Sequence, residues 1–249
     1  MKALVSWSGG KDSALALFEL RRRFPLIQPV GLTTTVSEEF RRVSTHGVRE
    51  ELLEDQAAAV GLALHKVYLP TIPREVHPAG NCATVAPNSV YEECMLRALA
   101  EAKAQGVEAV VFGDIFLQDL REYRDRLMER AGLRPIYPLW RQDTRELFLR
   151  FHGDGFRAVT VAVNPDLLGV EFLGRPLDAR FLAGYPASAD PCGENGEYHT
   201  FVSDGPVFRR RVRYTLGTQE FHHPYRYQEL IPSSDTLSSR GSPSMSPRP

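Results

Sequence analysis

Six consecutive residues near the amino terminus, Ser8-Gly9-Gly10-Lys11-Asp12-Ser13, have the types needed to hold a phosphate. Adjacent glycines let the backbone approach an anion closely and adopt positive φ. Ser8 and Ser13 can donate hydroxyl hydrogen bonds, and Lys11 adds a point charge. The apolar run before them reads as a strand over Ala3 to Trp7. Asp12 to about Arg23 reads as a helix with Leu15, Phe18 and Leu20 available for burial. A helix that opens on the loop presents free N–H groups and a favourable dipole to an anion. The spacing is not that of a GTPase-type P-loop, which requires Gly-x-x-x-x-Gly-Lys and then Ser or Thr. Here Val5 lies five before Gly10, and Asp12 follows Lys11. A plain strand–helix turn is the alternative reading.

A second constellation lies far downstream, in Asp190-Pro191-Cys192-Gly193-Glu194-Asn195-Gly196-Glu197-Tyr198-His199-Thr200-Phe201-Val202. It reads as two strands around a tight Asn195-Gly196 turn, with Glu194 and Glu197 flanking the turn. Two carboxylates beside His199 suit metal binding, ammonia orientation or base chemistry. A hairpin with solvated acids fits the same residues.

These two stretches need a scaffold. Strands are expected over Ile27 to Thr35, Leu62 to Leu69 and Val107 to Phe112, and helices over Gly47 to Val60 and from Ser89 through Ala102. Repeated strand–helix order predicts a parallel sheet with helices on both faces. Ligands of such sheets bind beyond the carboxyl ends of the strands, where strand order reverses. Pro70 to Asn88 is long and aperiodic, the pattern of a lid or binding loop. The grammar changes after Gly132. A helix starts at Asp143, a strand covers Arg157 to Val163, and a boundary falls near Leu139 to Asp143. The expected division is residues 1–140 for nucleotide, 141–232 as a smaller α+β substrate-binding part, and 233–249 as a disordered, Ser- and Pro-rich tail.

Composition narrows the class. The chain has 249 residues, 43% hydrophobic and 24% charged, with a net charge of −1, so nucleic acid is not an expected partner. No apolar run reaches the ~18 residues of a membrane span. The start lacks a signal-peptide pattern. Cys82, Cys94 and Cys192 suit reduced thiols and a cytoplasmic location rather than disulfides.

Ser8 to Ser13 also resembles the PP-loop of the N-type ATP pyrophosphatases. That resemblance implies an adenine-nucleotide α-hydrolase-like (HUP) fold, ATP cleaved between the α- and β-phosphates, and Mg²⁺ on the phosphates. With Phe112-Gly113-Asp114-Ile115, Pro138-Leu139-Trp140 and the Gly193-to-Glu197 stretch, the chain resembles the diphthine–ammonia ligase (diphthamide synthetase) family to about residue 225. The resemblance implies that a carboxylate on a modified histidine of an elongation factor is adenylated and that ammonia then displaces AMP. It places Ser8, Gly9, Gly10, Lys11, Asp12, Ser13, Gly113 and Asp114 on the nucleotide, with Asp114 also a candidate for Mg²⁺ or ribose. Lys11, Glu194 and Glu197 become candidates for catalysis, and Tyr91, Glu92, Arg121, Arg124 and His199 for the substrate. Several of these residues have plainer readings. Asp114 fits a cap, Arg121 and Arg124 a solvated helix face, and Tyr91 and Glu92 a capping box with helix periodicity. His46 reads as a surface or capping residue, and the Arg209–Arg213 run as a solvated strand edge. The sequence is read as a short version without the C-terminal domains of the eukaryotic enzymes. Two other functions fit the same loop, a tRNA-modifying enzyme that adenylates a base and a nucleotide-binding protein without ligase activity.

Overall fold

The computed structural model of the chain describes residues 1–43, 46–70 and 88–233. Most of the long segment expected as a lid and nearly all of the expected tail lie outside the described residues. The first part is a five-stranded parallel sheet in the order β3-β2-β1-β4-β5. Its strands are β1 (Lys2–Ser6), β2 (Gln28–Ser37), β3 (Ala63–Leu69), β4 (Ala109–Val111) and β5 (Arg134–Ile136). The connecting helices are α1 (Lys11–Arg23), α2 (Glu50–Val60), α3 (Asn88–Ala104) and α4 (Gln118–Ala131).

Strand alternation explains the layering. Ala109 and Val111 of β4 join the core that holds α1 and α2, while Val110 and the following Phe112 join the core under α3 and α4. A sheet buried on both faces requires that near-continuous apolar run. The expected strand at Val107 to Phe112 is shorter in the structure, and α2 starts at Glu50 rather than Gly47. β5 contains Pro135, which the ladder tolerates because β5 is an edge.

The second part holds α5 (Thr144–Gly153), β6 (Arg157–Val163), a 3₁₀ turn at Val170–Phe172, α6 (Ala179–Ala183), β7 (Tyr198–Asp204), β8 (Tyr214–His222) and β9 (Tyr225–Pro232). Asp143 caps α5 by accepting from Glu146 N–H at 2.8 Å. The four strands form an antiparallel sheet in the order β7-β6-β9-β8. Phe151, Phe156, Phe201 and Leu230 belong to the same buried cluster as Val5, Trp7 and Leu15. One apolar core therefore runs under both sheets.

The Asn195-Gly196 turn does not join two strands. Residues 190–197 form an irregular, turn-rich loop, and only β7 follows it. The arginines from 209 to 211 lie in an irregular stretch rather than on a strand, and they are exposed.

Candidate active site

β1 sits at the point where strand order reverses, because β2 and β4 flank it on opposite sides. The crevice outside the ends of β1 and β4 is the place where such sheets bind ligands. The Ser8-to-Ser13 loop leaves β1 there, and Gly113-Asp114 leaves β4 there. The two turns touch, since a Cβ on Gly113 would lie 2.8 Å from the Asp12 carbonyl carbon. Only glycine allows that approach.

The loop has the shape expected of an anion cradle. Gly9 has φ of 79°, and Gly10 is the N-cap of α1 with no side-chain cap bond. Ser8 Oγ accepts from Gly10 N–H at 3.3 Å, and Ser13 Oγ donates to the Gly10 carbonyl at 2.9 Å. Lys11 is buried and its ammonium lies 2.7 Å from Asp12 Oδ1. Burial works against the Lys11 charge, but Asp12, Cys192 and Glu194 outweigh it and raise the pKa. Lys11 is thus fixed as a cation at the mouth of the helix.

Strand β7 holds this loop in place. Thr200 Oγ1 accepts from Lys11 N–H at 3.0 Å, and Val202 N–H donates to the Gly9 carbonyl at 2.9 Å. Gln56 of α2 adds a clamp. Its amide nitrogen donates to the carbonyls of Gly9 at 3.0 Å and Val202 at 2.6 Å, and its oxygen accepts from Trp7 Nε1 at 2.9 Å. Every polar atom of the buried Gln56 amide is therefore used.

Of the two motif carboxylates, only Glu194 reaches the crevice. It accepts from Ile115 N–H at 3.3 Å, next to Asp114. Its pKa is pushed up to about 8 by burial and by Asp12, against the pull of Lys11. Glu197 is turned away, contrary to the sequence expectation. It accepts from Asp190 N–H at 2.8 Å, Asn195 N–H at 3.0 Å and the Asn195 side-chain amide at 3.3 Å. Its oxygens are occupied in tying residues 190–197 together, which makes it a positioning residue.

The β4 side supplies a wall. Asp114 pairs with Arg124 at 2.6 Å, and Arg124 lies over the Phe112 ring at 4.6 Å. Arg121 stacks on Trp140 at 4.5 Å and Tyr137 at 4.9 Å. Tyr91 of α3 lies beside Arg124 and Asp114, and burial raises its pKa. Glu92 does not join this group, because it pairs with Arg130 on the outer side of α4.

His46 is not a surface residue. Its Nδ1 lies 3.1 Å from the Thr200 carbonyl, and its ring stacks on His199 at 4.6 Å. A Cβ on Gly10 would come within 2.7 Å of its Cε1. Burial pushes the His46 pKa down to about 4. Burial and the neighbouring His46 push His199 well down too. Both imidazoles are therefore neutral near pH 7, and the Thr200 carbonyl fixes the proton of His46 on Nδ1. Cys192 is buried with its Sγ 3.1 Å from the Thr144 carbonyl, and burial pushes its thiol up. It has none of the character of an activated nucleophile.

The donor set is compatible with Mg²⁺ only alongside phosphate. Among the described residues no group of three or more metal-capable side chains could hold an ion by itself. Asp12, Asp114 and Glu194 nevertheless act on one another electrostatically, and Glu194 is pushed up first by burial and then by these neighbouring carboxylates. Mg²⁺ is usually bound by one or two carboxylates plus substrate phosphates, which these hard oxygens suit.

Trp7, Gln56 and Thr200 went unnoticed in the sequence. Gln56 did carry a signal, as a polar residue on the apolar face formed by Leu52, Leu53, Ala57 and Val60.

The sheet order and the glycine loop define an adenine-nucleotide α-hydrolase-like protein of the PP-loop type. A model of the diphthamide synthase N-terminal domain matches residues 1–77, and one of the diphthamide synthase C-terminal domain matches residues 143–231. The chain belongs to the diphthamide synthase family. The diphthine–ammonia ligase of Bos taurus is 25% identical over 234 residues, covering 85% of this chain and 82% of that protein. The Homo sapiens enzyme of the same name is 26% identical over 238 residues, with 85% and 82% covered. The Schizosaccharomyces pombe one is 31% identical over 110 residues, which are 43% of this chain but 18% of that protein. The expected C-terminal extension of the eukaryotic enzymes is therefore not general, since the bovine and human proteins are matched over most of their length. No helix among the described residues is long and apolar enough to cross a membrane.

Proposed function

We propose that the chain is an ATP-dependent amide ligase of the diphthine–ammonia ligase kind, which adenylates a carboxylate and transfers ammonia to it. The observation that carries this is the docking of β7 on the PP-loop through Thr200 and Val202, which delivers Glu194 to the crevice beside Lys11 and Asp12. Binding at this loop would use the N–H groups of α1 and the Lys11 ammonium for the β,γ-phosphates. Lys11 then stabilises the charge that develops on the leaving pyrophosphate. Mg²⁺, held on the phosphates with help from Asp12 or Asp114, would neutralise charge there. Arg121, Arg124 and Tyr91 would hold the substrate carboxylate and its surroundings. Glu194 accepts a proton from ammonium before the attack on the acyl-adenylate, and the shell of Glu197, His46 and His199 keeps the loop and β7 in register. Residues 1–140 would hold the nucleotide and, through Tyr91, Arg121 and Arg124, one side of the substrate, and 141–232 would complete the substrate side. The location is cytoplasmic, where elongation factors work.

The test is the product pair. With ATP, Mg²⁺, ammonium and a diphthine-bearing elongation factor, the chain should form AMP and pyrophosphate in step with amide. Formation of ADP and phosphate, or AMP release that leaves the acceptor unamidated, would overturn the proposal.

A further inference from the structure

A cavity of about 330 Å³ lies in the second part, lined by His152, Arg157, Asp178, Ser203, Arg211 and Tyr214 among others. None of these residues belongs to the PP-loop site. We propose that it is a second binding site, for a small phosphate-bearing metabolite.

Its construction supports an oxyanion. Two arginines converge on it from different segments, and neither has a carboxylate partner among the described residues. Arg157 begins β6, and Arg211 follows β7. The register between β6 and β7 shifts there, with Arg157 opposite Asp204 and Ala158 opposite Val202, so Ser203 is an unpaired bulge residue. Bulges often re-aim a side chain. Ser203 is buried, its Oγ lies 3.4 Å from the Arg157 carbonyl, and its own carbonyl accepts from Val212 N–H at 2.8 Å. The bulge therefore fastens both arginine-bearing segments to one point.

Tyr214 lies near both Ser203 and Arg211. His152 Nδ1 is shut off from solvent and has no hydrogen-bond partner. Asp178 offsets one of the two guanidinium charges, and its Oδ1 is already committed to the N–H groups of Arg180 and Phe181 at 2.9 Å, so a net positive charge remains on the lining. The cavity is at the small end of ligand pockets, which suits a metabolite rather than a macromolecular segment. Guanidinium groups favour phosphate because their fork matches two of its oxygens.

The test is calorimetric titration of the full chain with inorganic phosphate and with pyrophosphate, without ATP or Mg²⁺, and with citrate as a carboxylate control. Lys11→Ala should retain one oxyanion site. The double variant Arg157→Gln/Arg211→Gln should weaken that site at least tenfold while leaving ATP affinity unchanged. Both arginines are exposed, so the double variant keeps its fold, which circular dichroism checks. Loss of all phosphate binding in Lys11→Ala, unchanged phosphate binding in the double variant, or tighter binding of citrate than of phosphate would each overturn the proposal.

Discussion

The two halves of the candidate site are built in opposite ways. The PP-loop takes its shape from its neighbours in sequence: a buried strand, two glycines and a helix that starts at once. The Glu194 loop takes its shape from side chains. Asp190 Oδ1 accepts from the N–H groups of Cys192 at 2.9 Å and Glu194 at 3.3 Å, and Glu197 closes the other end on Asp190 and Asn195. Carboxylates here replace a strand ladder as the partners of the backbone. The first half draws its shape from a regular scaffold and is then braced by β7 and Gln56. The second holds its shape through the hydrogen bonds of two acidic side chains. The same residue type thus takes two places a few positions apart, with Glu194 at the crevice and Glu197 tying the loop together.

Substitutions can separate the halves. The largest effect is expected at Lys11. Lys11→Ala should lower the AMP-forming rate by about 10²–10³-fold, the usual cost of one transition-state donor, and it should weaken ATP binding measured by calorimetry. Retained rate and affinity would move the phosphate site elsewhere. Next come the two glutamates as a pair. Glu197→Gln removes charge-assisted bonds from a buried loop and should cost about 2 kcal/mol, or roughly 4–8 °C in Tm for a chain of this size. Glu194→Gln should leave Tm and ATP affinity nearly unchanged and impair amide formation. If the two variants behave alike in melting and in turnover, the division between chemistry and support is wrong.

The smallest effect is a pH dependence. His46 is held near a pKa of about 4 in the native state and has an ordinary value near 6.5 when unfolded. Between those values the unfolded chain binds the proton more readily, so stability is full above pH 6.5 and falls as pH drops toward 4. The Tm of the native chain should therefore decline over that window more steeply than the Tm of His46→Gln. Subtracting the two curves removes the opposite contribution of Glu194, which favours the native state as pH falls below about 8. Parallel curves would mean that His46 is solvated.

This contrast also sets what the sequence could reveal. Strand, loop and α1 are contiguous, so the strand–glycine-loop–helix unit was legible from periodicity and two glycines. The parallel sheet followed from apolar runs such as 109–111. The second motif misled because Asn195-Gly196 is a strong hairpin signal, yet the residues before it have their N–H groups satisfied by Asp190 and Glu197 and form no strand. His46 and Gln56 were illegible as site residues because their partners, Thr200 and Val202, lie 154 and 146 positions away. No local pattern encodes contacts across that separation.

The bond between Lys11 N–H and Thr200 spans 189 positions. During synthesis, a chain that emerges from its amino end can form the parallel sheet early, since domains fold as units as they appear. The PP-loop would then exist without the strand that braces it. Only after β7 has been made can the first turn of α1 be locked. A chain stalled before β7 would therefore carry a loop without its brace and lack the share of the common apolar core that β7 supplies.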